Sequence, residues 1–427
     1  MSFLDNRSEL LENAYAALSA NYKGKDVDLY EVCKKQRQSE PVIEGDFMKS
    51  LEVATHADVR HTFPVYAVFK YNDIRKVLMD SETFTSGFIR AGLGQFFGGD
   101  GLIILAMDGE EHKETRALLK PIFMPANVRG YTDLITEIVR EEFIKPVLPL
   151  RKFNLMDFGL YFPIRVIYEL IGFPKDMLDE IYEVAAMGLA ILSGQQLDED
   201  KMAEALSRSV EAADNMRARL VELSKRRRAE GDFGKDLISQ LILAEHKGQR
   251  LTDHEVGTFA GSLLPASGET TTRTFSCLMS ILLKNPELWE RLKADRSLIP
   301  KAINEATRYE GVATVKVRQA SKDTEIGGVK IPKGALVQCL VASANRDEDV
   351  FENPDQYDID RKAAVNFTFG FGPHMCIGQF IAKMELEAAL NVLMDLMPNL
   401  RLDPDYPEPE IKGAQLRGVS DIYVRWD

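Results

Sequence analysis

Cys376 lies in a glycine-rich segment directly before a stretch that reads as a long helix. The segment from residue 369 reads FGFGPHMCIG, with glycines at positions 370, 372 and 378. Glycine lets a backbone turn tightly and approach a flat group closely. A cysteine at the N-terminus of a helix has its thiolate favoured by the helix dipole and by free backbone N–H groups. The arrangement is typical of a cysteine that works as a thiolate.

A single thiolate restricts the kind of metal site that the chain can build. No second cysteine and no suitable histidine accompanies Cys376 in a zinc or iron–sulfur pattern. Haem iron needs only one axial sulfur, which pushes electron density toward O–O cleavage. The alternative is a buried structural cysteine that behaves as a small hydrophobe. The glycine spacing, Phe369 and the helix start favour the metal-binding interpretation.

The segment resembles the haem-binding loop of the cytochrome P450 superfamily, whose pattern is Phe-x-x-Gly-x-x-x-Cys-x-Gly. Phe369, Gly372, Cys376 and Gly378 match it. The resemblance implies that Cys376 is the proximal iron ligand and that Phe369 and Gly378 belong to the cofactor-binding loop. His374 occupies a position that commonly holds His or Arg and bonds a haem propionate. The similarity extends from about residue 63 to the end of the chain and implies a soluble, bacterial-type haem-thiolate monooxygenase.

A second motif lies in a long helix predicted over residues 252–285, which opens with the capping-box pattern Thr252-x-x-Glu255. Between residues 263 and 272 it contains a proline, a glycine and three threonines, all poor helix formers. Proline removes a backbone donor, and threonine hydroxyls bond back to carbonyl groups. The pattern indicates a loosened or kinked helix with room for water, or simply a kinked core helix.

The family resemblance gives this motif a role. The family pattern Ala-Gly-x-(Asp/Glu)-Thr corresponds to residues 266–270, with Ser267 in place of the usual glycine and Pro265 before it. By resemblance, Thr270 would hydrogen-bond dioxygen and its water, and Glu269 would relay protons from solvent. Such chemistry needs an acid and a hydroxyl, because two protons must reach the distal oxygen before the O–O bond breaks. The effect of Ser267 and Pro265 on oxygen activation stays open at this stage.

Glu305 and Arg308 are three residues apart on a predicted helix, where they can pair. Such pairs are common on solvated helices and usually contribute little. The resemblance implies a different role: the pair corresponds to the family's Glu-x-x-Arg, which locks with a downstream arginine, here Arg361, and supports the haem loop. We therefore expect these three residues to be structural rather than catalytic.

His112 and Arg116 are four residues apart on a helix that begins near Asp108. Two cations on one helix face require an anion between them, and haem carries two propionates. By resemblance, His112, Arg116 and Arg318 bond these propionates. Lys316 lies on the same side of a predicted strand as Arg318, where it could contact a propionate or a substrate acid, although the sequence favours solvent as its partner.

Composition excludes several classes of protein. The chain has 427 residues, 45% of them hydrophobic, which allows one large domain or two to three smaller ones. A net charge of −13 argues against a nucleic-acid partner, and the basic run at 225–228 reads as a solvated helix end.

The sequence contains no run of about 18 apolar residues that would predict a membrane span. The N-terminus lacks a signal-peptide core, and four scattered cysteines fit no disulfide framework, so we expect a soluble cytoplasmic protein.

The elements that must position these residues are mainly helical. Helices are predicted over 74–80, most of 108–230, 286–309 and 378–397, with a strand hairpin at 63–71, a small antiparallel sheet at 326–339 and an apolar loop at 84–107. Strands and helices do not alternate as in a parallel-sheet fold. The expectation is a mainly α protein with small antiparallel β-sheets. The resemblance implies one cytochrome P450 domain over 1–427, with haem buried between the long central helix and the cysteine-loop helix.

The resemblance also implies the reaction: one oxygen atom of O2 enters an apolar organic substrate by hydroxylation or epoxidation. The cofactor would be haem b (iron protoporphyrin IX), and NAD(P)H would act indirectly, because the chain has no flavin or dinucleotide fingerprint. Electrons would come from a ferredoxin and its ferredoxin reductase, with Lys113, Arg116, Lys120 and Lys383 as candidate docking residues. The expected substrate is a terpenoid, steroid, fatty acid or aromatic compound. Its expected contacts are Phe88, Ile89, Leu93, Phe96, Phe97, Leu263, Ala266, Val312 and Val315.

Three alternatives remain at this stage. A peroxide-driven haem-thiolate enzyme is one, although that subgroup lacks the acid–threonine pair present at Glu269 and Thr270. A second enzyme would rearrange or couple its substrate without net hydroxylation. The third, of another class, is a non-catalytic haem sensor or electron carrier, in which Thr270 would have no function. Substrate identity, regiochemistry, the actual redox partner and the oligomeric state are not encoded in recognisable motifs.

Overall fold

The computed structural model describes residues 3–54, 63–89, 102–174, 177–231, 233–362 and 364–427. Most of the described chain is helical. The α-helices, in chain order, are α1 (Glu9–Asn21), α2 (Leu29–Ser39), α3 (Phe47–Ser50), α4 (Tyr71–Met79), α5 (Gly109–Ala117), α6 (Lys120–Phe123), α7 (Pro125–Val128), α8 (Thr132–Glu137), α9 (Lys145–Val147), α10 (Leu155–Ile171), α11 (Leu178–Leu192), α12 (Glu199–Glu230), α13 (Leu237–Leu243), α14 (Asp253–Leu283), α15 (Pro286–Ala294), α16 (Ile299–Tyr309), α17 (Val341–Ala344) and α18 (Gln379–Leu396). A π-helical segment, Ile138–Ile144, joins α8 to α9.

The strands are short and form small sheets. They are β1 (Val42–Glu44), β2 (Val65–Val68), β3 (Phe84–Thr85), β4 (Lys152–Asn154), β5 (Glu245–His246), β6 (Gln249–Arg250), β7 (Val315–Ala320), β8 (Thr324–Ile326), β9 (Val329–Ile331), β10 (Leu336–Leu340), β11 (Arg401–Leu402) and β12 (Tyr423–Arg425). The largest sheet has the order β1-β2-β10-β7-β3. Its pairs are antiparallel except β2 with β10, which run parallel with Tyr66 opposite Val337. The mainly helical fold class is thus confirmed, with one parallel pairing that was not expected.

The central helix α14 begins where its capping box predicted. The Thr252 hydroxyl accepts a hydrogen bond from the Glu255 N–H at 3.2 Å, and the Glu255 carboxylate accepts one from the Thr252 N–H at 2.7 Å. These two bonds satisfy donors that an open helix end would leave without partners. The helix is continuous through Pro265 to Leu283. It packs against α10, α11 and α12, so the interior of the helical part is built around it.

Two sequence predictions were wrong in detail. Residues 63–71 do not form a hairpin: Val65–Val68 is a single strand between β1 and β10, and helix α4 already begins at Tyr71. In the 326–339 region, β8 and β9 form the expected hairpin, but β10 joins the larger sheet. Both differences involve β10, which pairs with β2 from about 270 residues further along the chain.

The basic run at 225–228 does more than solvate a helix end. Lys225 and Arg226 pair with exposed glutamates. Arg227 pairs with Asp236 at 2.6 Å, and Arg228 pairs with Asp253 at 2.7 Å. The end of α12 is therefore fastened to the starts of α13 and α14. None of the helices in the described ranges has the length and apolarity required to cross a membrane.

Candidate active site

The cysteine loop is held in a tight turn by its own backbone. The Cys376 N–H donates to the Phe369 carbonyl at 2.7 Å, and a 3₁₀ turn at Gly372–His374 shapes the segment between them. Gly372 has a φ of 71°, and a Cβ there would lie 2.5 Å from the Leu78 carbonyl oxygen. Gly370 also has a positive φ of 74°. These two positions require glycine, whereas Gly378 adopts an ordinary helical φ of −79° as the residue before α18.

Cys376 is exposed, unlike the other three cysteines, because its side chain lines both an internal cavity and an outer cleft. Burial raises the pKa of this thiol. The backbone N–H groups of Gly378 and Gln379, and the positive charges of Lys316 and Arg116, act in the opposite direction but do not outweigh burial. The helix start therefore supports a thiolate only in part, and a bound metal would supply the remaining stabilisation. Within the described residues, no group of three or more His, Cys, Asp or Glu is arranged to hold a metal ion, so Cys376 offers a single sulfur donor.

The cavity brings together residues that are far apart in the sequence. It has a volume of about 330 Å³ and lies between the middle of α14 and the cysteine loop. Of the residues predicted to form the site, those that line it are His112, Arg116, Thr270, Arg318, Phe369, His374, Cys376, Gly378, Ile89, Leu263, Ala266 and Val312. Glu269, Phe88 and Val315 are not among the lining residues. Leu93, Phe96 and Phe97 lie outside the described residues.

Two guanidinium groups at the cavity have no carboxylate within ion-pair distance in the described part of the chain. Arg116 donates to the Met375 carbonyl, and Arg318 donates to the Val317 carbonyl at 2.8 Å. Burial lowers the pKa of both side chains. A buried cation without a counter-ion is costly, so this arrangement suits a ligand with two negative charges. The haem propionates meet that requirement, and with the single sulfur donor they make the residues present a fit for haem.

Two histidines stand beside these arginines. The rings of His112 and His374 are 4.2 Å apart, and burial together with the neighbouring His374 and Arg116 lowers the pKa of His112 to about 4. His374 Nε2 lies 3.1 Å from Asp108 Oδ1. His374, which was predicted to bond a propionate, thus has a carboxylate partner in this structure. Asp108 was missed as a site residue, although its position at the start of α5 was visible in the sequence.

The threonines of α14 bond back to their own helix. Thr270 Oγ1 donates to the Ala266 carbonyl at 2.9 Å, and Thr270 lines the cavity. Ser267 also lines the cavity, and its hydroxyl donates to the Leu264 carbonyl at 2.9 Å. Pro265 is buried against Gly188 of α11, away from the cavity. The unusual serine therefore shares the cavity with Thr270, whereas the proline contacts a neighbouring helix.

Glu269 points away from the cavity. It is buried and forms an ion pair with Arg273, which also donates to the Ser19 hydroxyl at 2.8 Å. Among the described residues, the second carboxylate oxygen of Glu269 has no hydrogen-bond partner. A proton relay through Glu269 requires its carboxylate to leave Arg273. The i,i+4 spacing of the two residues was the sequence signal for this pair, and the sequence analysis did not use it.

Glu385 is a second acid that the sequence analysis missed. It lies on α18, nine residues after the cysteine, is fully buried and lines the cavity. Burial raises its pKa well above the ordinary value, and a hydrogen bond with Thr271 opposes this shift. Its hydrogen bond with Thr271 links α18 to α14.

The three residues predicted to be structural do come together. Arg308 contacts Glu305 at 2.7 Å, and Arg361 contacts the same carboxylate at 3.0 Å. Arg308 further donates to the carbonyls of Asn345, Pro354 and Gln356. The Asn345 side chain in turn accepts from the Phe367 N–H at 2.8 Å and donates to Thr368 at 2.9 Å. The cluster is thus connected to the beginning of the cysteine loop through hydrogen bonds.

Comparisons with known proteins agree with this geometry. The family model described as Cytochrome P450 matches residues 175–410. The chain is 29% identical to pulcherriminic acid synthase of Bacillus subtilis, over 94% of this chain and 98% of that protein. It is 31% identical to mycinamicin IV hydroxylase/epoxidase of Micromonospora griseorubida, over 84% and 89%. The structure is similar to CYP109E1 from Bacillus megaterium in complex with testosterone, with a TM-score of 0.78, 25% identity and coverage of 94% and 100%.

Proposed function

The chain belongs to the cytochrome P450 family, and we propose that it hydroxylates or epoxidises a small apolar terpenoid, steroid, fatty acid or aromatic compound. As a haem-thiolate monooxygenase it uses haem and O2, with electrons supplied by a reductase. The observation that carries the proposal is that Cys376 and Thr270 line the same cavity, together with two guanidinium groups that have no carboxylate partner. We assign residues 1–427 to one catalytic domain.

The assignment of the cofactor site follows from these side chains. Cys376 is the proposed ligand of the iron in haem b, with Phe369 and Gly378 as parts of its loop. His112, Arg116 and Arg318 are the proposed propionate contacts, and His374 is placed beside them through its bond to Asp108. When bound, haem supplies the activation of O2, and the protein contributes orientation, protons and a dry pocket.

Thr270 and Glu269 are the proposed proton-handling residues. The Thr270 hydroxyl donates to the Ala266 carbonyl, which leaves its lone pairs free to accept a hydrogen bond from water in the cavity. In this role Thr270 holds a water molecule at a fixed place next to the oxygen site. Glu269 would exchange protons with solvent only after its carboxylate separates from Arg273. Glu305, Arg308 and Arg361 are proposed to support the cysteine loop without taking part in the reaction.

The walls of the cavity support an apolar substrate. Ile89, Leu263, Ala266 and Val312 line it, and these are the substrate contacts we retain from the sequence predictions. The names of the related proteins indicate diverse activities, from a synthase to a hydroxylase/epoxidase, and CYP109E1 was solved with testosterone. Membership of the family therefore supports the type of reaction, and it does not single out one substrate.

We propose that the electron donor is a ferredoxin, reduced by NAD(P)H through a ferredoxin reductase. A cleft of about 440 Å³ lies on the outer side of Cys376. Lys113, Arg116 and Lys120 line it, together with the exposed apolar side chains of Met124, Met375 and Phe380. An apolar centre with a basic rim suits an acidic carrier. Lys383 does not line this cleft; it lies over the Phe369 ring at 5.3 Å.

The cysteines are consistent with a cytoplasmic enzyme, which we propose on the basis of their redox state. Cys33, Cys277 and Cys339 are free thiols buried in the core, and burial raises the pKa of each to about 12. Thiols in this state are unreactive, and the absence of disulfides among the four cysteines is usual in a reducing compartment.

Two measurements on the purified holoenzyme test the proposal. The reduced, carbon-monoxide-bound absorption spectrum should have the band of a thiolate-ligated haem. Turnover with labelled O2, ferredoxin, ferredoxin reductase and NAD(P)H should then place one labelled atom in the product. Turnover with peroxide but not with reduced ferredoxin would instead support the peroxide-driven alternative, and a product without labelled oxygen would support rearrangement or coupling. A haem protein with no turnover in either system would be a sensor or electron carrier.

A further inference from the structure

Lys316 is a basic residue inside the cavity that the reaction as proposed does not use. It lies on β7, opposite Cys339 of β10, and shares a strand face with Arg318. Its side chain is half-buried and lines the cavity, as do the neighbouring Val312 and Ala313. The sequence favoured solvent as its partner over a propionate or a substrate acid. Its place in the lining of the cavity instead favours one of the two acids.

The ammonium group of Lys316 has no carboxylate partner in the described part of the chain. Burial lowers its pKa, the positive charge of Arg318 acts in the same direction, and only Cys376 opposes them. No aspartate or glutamate contributes to its electrostatic environment there. Glu385 lines the same cavity, but in the described part of the chain it hydrogen-bonds with Thr271 and forms no ion pair with Lys316. An ammonium group in such an enclosure is costly unless an anion enters with it.

The charges at the cavity indicate which anion this is. The inference rests on the proposed function, in which haem brings two propionates. Arg116 and Arg318 are two guanidinium groups without carboxylate partners, and they balance those two charges. His112 adds no charge near neutral pH, because its pKa is about 4, and His374 is bonded to Asp108. Lys316 is then left as a third positive charge, for which the cofactor has no anion.

We propose that Lys316 binds the carboxylate of the substrate, so that the substrate is an organic acid with an apolar body. The apolar walls at Leu263, Ala266 and Val312 receive the body of such a molecule. One end of the acid is then fixed at β7, and the carbon that is oxidised is selected by its distance from that end. Lys316 is thus a specificity-determining residue, and it separates acids from the neutral terpenoids and steroids of the broader substrate class.

The test compares acids with their own primary amides, which have the same shape and no charge. Decanoic acid and decanamide form one pair, and 4-phenylbutanoic acid and its amide form another. Each is titrated into the ferric holoenzyme, and displacement of the iron-bound water is followed by absorption. The wild type should bind each acid about tenfold or more tightly than its amide. Lys316→Met should remove that preference while leaving amide binding within about twofold, and Lys316→Arg should retain it. Lys330→Met, an exposed lysine on β9, is the control and should behave as the wild type.

The outcomes separate this inference from the proposed function. If the reduced, carbon-monoxide-bound spectrum lacks the thiolate band, the proposed function fails. If that band is present but amides bind as tightly as acids, or no acid binds, only the Lys316 inference is overturned. Two other results for Lys316→Met would indicate that Lys316 contacts a propionate and would also overturn the inference. One is loss of haem, and the other is an equal loss of affinity for acids and for amides. Loss of the acid preference with haem content unchanged supports the proposal.

Discussion

Glu269 and Arg273 form a buried ion pair one turn apart on α14, on the side of the helix opposite the cavity that Thr270 lines. Arg273 extends the contact to α1, where it bonds the Ser19 hydroxyl and lies over the Tyr15 ring at 4.9 Å. The pair therefore connects the N-terminal helix to the central helix. Buried ion pairs contribute little net stability when intact, but removing one partner leaves a charge without compensation.

We expect Arg273→Met to lower the free energy of unfolding of the holoenzyme by about 3–5 kcal/mol, because it leaves the Glu269 carboxylate buried and unpaired. The double variant Glu269→Gln/Arg273→Met should recover most of this loss. Urea unfolding followed by haem absorbance measures both. Arg208→Met breaks an exposed pair with Glu204 on α12 and should cost less than about 1 kcal/mol. A double variant no more stable than the single one would contradict this account of the pair.

Thr270 offers a test of proton handling that leaves the fold intact. Thr270→Ala removes the hydroxyl that faces the cavity, so we expect the rate of product formation to fall roughly a hundredfold, the lower end of the usual effect of a positioned proton-transfer group. Consumption of NAD(P)H should continue, because electron delivery does not involve this hydroxyl, and the dissociation constant of the substrate should hardly change.

Thr272→Ala is the matched control for that variant. Thr272 bonds back to the Gly268 carbonyl at 3.1 Å, as Thr270 does to Ala266, but it is buried and does not line the cavity. It should keep the product yield per NAD(P)H of the wild type. Equal yields for Thr270→Ala and the wild type would remove Thr270 from the reaction.

The sequence was informative where the determining interactions are local. The capping box fixed the start of α14, and the positive φ of Gly370 and Gly372 agrees with the turn inferred from their spacing. Strand pairing was not predictable in this way, because β2 pairs with β10, about 270 residues further along the chain. Segments that are adjacent only in the folded protein leave no local pattern that can be read.

Contacts between segments that are distant in the sequence also explain why some site residues were missed or given the wrong position. Glu269 matches the family motif, and its pairing with Arg273 follows from their i,i+4 spacing, but the burial of this pair and the contact with Ser19 depend on the packing between α1 and α14. Asp108 bonds His374 from 266 residues away. Glu385 has an ordinary position in an amphipathic helix, and only burial on α18 makes its titration unusual.

Charge reversal on the outer cleft tests the docking surface for the electron donor. Lys113→Glu and Lys120→Glu should lower the rate of reduction by ferredoxin about tenfold at low ionic strength, because both lysines line the cleft over Cys376. Stopped-flow reduction under carbon monoxide measures this rate, and added salt should reduce the difference. Lys330→Glu on β9 is the control. Reduction rates that remain unchanged at low salt would exclude this surface.

The cluster around Glu305 makes a prediction about cofactor retention. The Glu305 carboxylate accepts from Arg308, from Arg361 and from the Asp358 N–H, so Glu305→Gln leaves two buried guanidinium groups without their anion. We expect a loss of about 3–5 kcal/mol in unfolding free energy and a lower haem content per protein. The exposed Glu290, which pairs with Lys293, provides the control substitution Glu290→Gln. Full haem content in the Glu305 variant would show that the cluster does not support the cysteine loop.

Glu385 predicts how stability depends on pH. Burial raises its pKa in the folded protein well above the ordinary value of 4.5. Below the ordinary value, the carboxyl is protonated in both the folded and the unfolded states, and folding is not opposed. As the pH rises above that value, the unfolded chain releases the proton while the folded protein keeps it, so the unfolded state gains about 1.4 kcal/mol per pH unit. This loss of stability continues until the folded pKa is reached.

Glu385→Gln has the same shape and no proton to lose, so the variant should become more stable than the wild type as the pH rises. The difference in unfolding free energy should grow by about 1.4 kcal/mol per unit as the pH rises above about 5, until the folded pKa of Glu385 is reached. Urea unfolding of the two holoenzymes across this range measures it. Glu387→Gln, an exposed position on the same helix, should show no such trend because its carboxyl is solvated in both states. A constant difference across the range would mean that Glu385 is ionised in the folded protein, with a counter-charge at the cavity that stabilises it.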